Sequence, residues 1–109
     1  MIDKKMLELI DRLAAKANSL EWKLDENTSG YFTELGGNYA EIRSDDKDDS
    51  HPYTFVVLDG DENEIERVNT LGSEISDSYR QAIEEMHQIA KRQSLGVDSV
   101  IEEMLKRLE

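Results

Sequence analysis

"YTFVVLDGDENEIERV", residues 53–68, decides the fold of this chain, because its middle can be read either as a calcium loop or as the turn of a β-hairpin. Asp59, Asp61 and Asn63 fall at positions one, three and five of an EF-hand loop. That loop also needs glycine at position six for its sharp turn and a bidentate glutamate at position twelve, where this chain has Glu64 and Thr70. The flanks disagree as well. "YTFVVL" is β-branched and apolar, which suits an interior strand and not an entering helix. A strand followed by Asp-Gly and a resumed apolar pattern at Ile65 and Val68 is a hairpin signal. The segment therefore predicts two antiparallel strands, with "YTFVVL" the central strand of a sheet.

Working outward, the same two-residue period recurs on the N-terminal side. In "LEWKL", Leu20, Trp22 and Leu24 alternate with Glu21 and Lys23, and in "YAEIRS" Ala40 and Ile42 oppose Tyr39, Glu41 and Arg43. "DENTSG" (25–30) reads as a loop, and Gly36-Gly37-Asn38 as a tight hairpin with positive φ. "DDKDDSHP" (45–52) reads as an exposed loop closed by the single proline. Beyond these strands the period becomes helical. Ile2, Met6, Leu9, Ile10, Leu13 and Ala17 form one stripe, with Asp3 a candidate N-cap. Ile75, Tyr79, Ala82, Ile83, Met86, Ile89 and Ala90 form a second, ended by Gly96. Asp98 is the candidate cap of a third, carrying Val100, Ile101, Met104, Leu105 and Leu108. The predicted architecture is a single α+β domain over 1–109. It has a helix at 3–17, an antiparallel meander of about four strands within 20–69, and helices at 73–95 and 98–108 on one sheet face.

The formal net charge of −12 is unevenly spread: residues 1–17 carry +1, residues 18–69 carry −10 and residues 70–109 carry −3. Phosphate backbones and anionic membranes are poor partners for such a surface, so we expect neither direct nucleic-acid binding nor membrane association. A basic protein is the favoured partner, and long-range attraction would speed its encounter. The absence of cysteine removes disulfides and thiolate chemistry and suits a reducing cytoplasm. "MIDKKMLELIDRL" is too interrupted by charge for a signal peptide or membrane span, and we expect a cytoplasmic protein.

Constellations for chemistry are sparse. Glu84 and His87 make one Glu-x-x-His pair where a di-iron bundle needs two, and we expect His87 to be a partly exposed helix residue beside Glu84. His51 sits in the acidic loop, where solvation accounts for it. No nucleophile elbow, Walker loop or dinucleotide fingerprint occurs, so we expect no enzyme, no metal and no cofactor. Two interaction candidates remain. Asp45, Asp46, Asp48 and Asp49 could dock Arg and Lys, and Tyr31 and Phe32, adjacent on a strand, must point to opposite faces so that one ring stays outside the core. The expectation is a small non-catalytic adaptor, inhibitor or immunity-like factor of bacterial or phage type. An acidic secretion-type chaperone acting as a homodimer is the alternative, with a metal-binding or enzymatic domain behind both.

Overall fold

Five antiparallel strands in the order β1-β2-β3-β4-β5 form one meander sheet, so each strand pairs with its neighbour in sequence. They are β1 (Lys23–Asp25), β2 (Gly30–Leu35), β3 (Asn38–Ser44), β4 (Tyr53–Leu58) and β5 (Glu64–Asn69). Helix α1 (Lys4–Lys16) precedes the sheet, and α2 (Asp77–Ser94) and α3 (Val97–Arg107) follow it. The computed structural model describes residues 3–46, 52–72 and 75–109. The sheet has five strands where about four were expected, and the shortest, the three-residue β1, overlaps the segment read as alternating at 20–24.

The core lies between the sheet and the two longer helices. Tyr31, Ile42, Phe55 and Val68 form one cross-strand row through β2 to β5, all buried on the helix side. Met6, Ile10 and Leu13 of α1 and Ile83, Met86 and Ala90 of α2 close over the sheet in the same cluster. The C-terminal helical pair packs on the sheet through α2, and α3 touches only α2. Helix α1 opens with the expected cap: the Lys5 amide donates to Asp3 Oδ1 at 2.7 Å. Gly36 and Gly37, with φ of 59° and 83°, make the two-residue turn between β2 and β3. Both central residues in the left-handed region mark a primed turn, whose twist matches that of the strands.

Residues 58–68 form the hairpin. The Asp59 carbonyl accepts from the Glu62 amide at 3.0 Å and the Asp59 amide donates to the Asn63 carbonyl at 2.9 Å. Asp59 Oδ1 accepts two more amides, from Asp61 and Asn63, and these bonds hold its carboxyl below the ordinary carboxylate range. The left-handed residue of the turn is Glu62 (φ 66°), not the glycine.

Several expectations are corrected. Ile65 does not resume burial: it is 64 % exposed. Val57 pairs with Glu66 but Leu58 with Glu64, so Ile65 is the extra residue of a bulge, and at three positions from the buried Val68 it falls on the opposite face of the strand. The middle strand is β3, with β4 the interior strand beside it. Leu24 is exposed because β1 is short and lies at the edge. Ile75 is buried ahead of α2, whose N-cap is Ser76. Gly96 (φ 64°) both ends α2 and caps α3, which places Asp98 in the first turn, paired with Arg92. His87 is buried, not partly exposed: its ring packs against Tyr53 (centroids 4.6 Å) and edge-on to Tyr31 (5.3 Å). It lies one residue after Met86 on the core side of α2, so the two tyrosines enclose it away from solvent.

Candidate partner-binding face

The helices cover one face of the sheet and leave the other open, and the side chains there follow from the register. Phe32, Glu41, Val56 and Arg67 are cross-strand neighbours on this outer face. The β1–β2 connection folds over them. Its shape comes from local bonds of the kind Asp and Thr make in turns: the Asn27 amide donates to Asp25 Oδ1 (2.9 Å), the Ser29 amide to the Asp25 carbonyl (2.8 Å) and the Gly30 amide to Thr28 Oγ1 (3.1 Å). Beneath it Gly30 lies flat on β3. A Cβ at that position would stand 2.8 Å from the Ile42 carbonyl oxygen and 2.9 Å from Arg43 Cγ, so the close approach admits only glycine.

The result is a cleft of about 450 Å³ between this connection, the rings of Phe32 and Tyr39, and Leu58 and Glu62 at the tip of the β4–β5 hairpin. Glu41 is one of its lining residues and is 2 % exposed. It is the only buried carboxylate among the described residues. Arg43 Nε donates to Glu41 Oε2, and Thr28 Oγ1 donates to the same oxygen at 2.9 Å. Burial pushes the Glu41 carboxyl above its ordinary value, and the hydrogen bonds from Arg43 and Thr28 oppose the rise. A hydrogen bond with Asp25 adds to it. Four carboxylates (Asp25, Glu26, Glu41, Glu62) therefore line the cleft against the single guanidinium of Arg43. Phe32 and Tyr39 meet edge-to-face at 5.8 Å and line it with aromatic surface. Carboxylates around an aromatic face are the elements that receive a Lys or Arg side chain.

A second groove of about 400 Å³ adjoins the first, sharing Asn27, Thr28 and Arg43, and runs to Asp45, Thr54, Arg67 and Asn69. Asp45 is held there. Its Oδ1 accepts from Thr54 Oγ1 (2.6 Å), its Oδ2 from Asn69 Nδ2 (2.7 Å), and its amide donates to the Pro52 carbonyl (3.0 Å). Arg67 pairs with Glu64 across the exposed strand β5.

The structure thus separates the candidate residues. Phe32 and Asp45 share the outer face in adjoining grooves. Tyr31 is the ring that enters the core, 6 % exposed. Asp46 is exposed at the start of the acidic loop, and Asp48, Asp49 and His51 lie outside the described residues. Glu41, Arg43 and Tyr39 were not singled out in the sequence. The alternation of "YAEIRS" put them on the solvent side, but that the 25–28 connection roofs this side depends on chain geometry that alternation does not encode. Among the described residues no three His, Asp or Glu side chains converge as a metal site would require, and no helix is long and apolar enough to cross a membrane. No protein-family model, no curated protein and no solved structure matches the chain, so its site rests on its own geometry.

Proposed function

We propose that this chain is a small, non-catalytic protein-binding domain, an adaptor, inhibitor or immunity-like factor of bacterial or phage type working in the cytoplasm, that docks a basic partner on the outer face of its sheet. One observation carries the reading: a cleft faced with Phe32 and Tyr39 is lined by four carboxylates and one arginine. Asp45 and Asp46 extend the same negative surface, and the role of the acidic run that they begin is to attract the partner over distance while the cleft holds it.

The test is a titration of the isotope-labelled protein with Lys- and Arg-rich octapeptides, followed residue by residue by NMR. Shifts should concentrate at Phe32, Tyr39 and Glu62, and Phe32→Ala should weaken binding by about 10-fold, the usual cost of losing an aromatic anchor. Neutralising Asp45, Asp46, Asp48 and Asp49 together should slow association. Shifts spread evenly over every acidic residue and untouched by Phe32→Ala would remove the cleft from the reading. A dimeric chaperone is the second reading, and the exposed apolar face of α3 favours it.

A further inference from the structure

Helix α3 stands apart from the core. None of its residues is buried, and of the other elements it touches α2 alone. Yet it is amphipathic: Val100, Ile101, Met104, Leu105 and Leu108, at spacings of three and four, make one stripe, and they are 43–82 % exposed. Leu95 at the corner before it, 62 % exposed, extends the stripe. The molecule is correspondingly elongated, 54 × 31 × 25 Å. Its radius of gyration is 14.8 Å, where a compact domain of this length would have about 13 Å. A helix of eleven residues is marginal in water without a surface to pack on.

We propose that the surface is a second copy of this chain, with the two α3 helices packed antiparallel about a two-fold axis near residues 102 and 103. The area of the apolar stripe favours this occupant, and charge at the helix ends favours this direction. Asp98 stands in the first turn of α3 and Lys106 and Arg107 in its last, with Glu102 and Glu103 at the middle. Antiparallel packing lays the basic end of each helix beside Asp98 of the other, whereas parallel packing sets the two basic ends together. It also places the two bodies at opposite ends of a helix about 16 Å long. A parallel pair would hold two chains of net charge −12 side by side. Area is adequate. Six half-exposed aliphatic side chains offer on the order of 100 Å² each, so a pair buries about 1,200 Å² of apolar surface, at the lower end of stable interfaces. In this arrangement Leu108 of one copy covers Val97 of the other, and Met104 meets Ile101.

The chain has no cysteine, so introduced thiols report the geometry without background. Sedimentation equilibrium of the full chain should show a dimer, and Ile101→Asp with Met104→Asp should raise its dissociation constant by on the order of 100-fold. Trp22 fluorescence, a signal from the core, should stay unchanged in that variant. Under mild oxidation Ile101→Cys should cross-link to Met104→Cys in a mixture of the two variants. Leu108→Cys should not cross-link to itself, but should cross-link to Val97→Cys in a mixture of the two. A monomer at ~100 μM, a dimer indifferent to the two aspartates, or self-cross-linking of Leu108→Cys would each overturn the proposal. So would binding of the basic octapeptides at α3 in place of a second copy.

Discussion

Glu41 occupies a position in mid-strand, between Phe32 and Val56, where an apolar side chain would ordinarily be buried. Its carboxyl is held by Arg43 and Thr28, and removing either partner would leave a buried acceptor short of a hydrogen bond. The net effect of the site raises its pKa, burial being the largest cause. The folded state therefore keeps this proton more readily than the unfolded chain. The stabilising contribution is full below the ordinary value of 4.5 and is lost as pH rises through the higher folded value. Glu41→Gln keeps an acceptor for Arg43 and Thr28 and removes the ionisation. Urea unfolding of both proteins from pH 4 to pH 8 should show the difference moving in favour of Gln as pH rises; a constant difference would mean that burial does not govern this carboxyl. Alternation in β3 placed Glu41 on the solvent face, and that direction was right. Its burial could not be read there, because the roof comes from Asp25–Thr28 and from the fit of Gly30 against β3. His87 misled in the opposite sense. Its helical position put it at the margin of the stripe, but two tyrosines from different strands reach around it.

At the level of elements, most of the fold was legible because local chemistry and burial agree. Asp3 caps α1, Gly36-Gly37 turns β2 into β3, and Gly96 separates α2 from α3. Where the reading failed, a register or a tertiary contact overrode the pattern. Ile65 has the apolar character of a buried strand residue, but it stands three positions before Val68, so alternation puts the two on opposite faces and only Val68 is inside. This predicts unequal substitutions: Ile65→Lys should change stability by no more than about 0.5 kcal/mol, and Val68→Ala should cost roughly 2 kcal/mol. Thermal unfolding of the two variants measures it, and the reverse ranking would mean that the opposite face of β5 is the buried one. The stripe of α3 was equally visible in the sequence. What covers it was not, since periodicity shows that a helix has an apolar face without saying which molecule supplies the other side.

For the whole molecule, the two proposed contacts differ in their response to salt. Docking of a basic partner draws on the −10 of residues 18–69 and should weaken steeply between 50 and 500 mM NaCl, because ions screen attraction over a Debye length of about 10 Å at 0.1 M. Self-association brings together two bodies of like charge through apolar side chains, and it should hold or tighten over the same range. Parallel salt responses of the two would mean that one surface serves both. The remaining feature is Gln93, on the last turns of α2, whose Oε1 accepts from the Trp22 amide (2.6 Å) and whose Nε2 donates to the Leu20 carbonyl (2.6 Å). One amide side chain thus fastens the segment leading into β1 to a helix more than seventy residues later in the chain. The meander between them can form hairpin by hairpin as the polypeptide leaves the ribosome. Helix α1 cannot be finished in this way, because its neighbour α2 begins about 60 residues after α1 ends, a delay of about 3–12 s at ordinary translation speeds. During that interval Met6, Ile10 and Leu13 have no α2 to close against, and the nascent chain displays an amphipathic helix that the finished protein conceals.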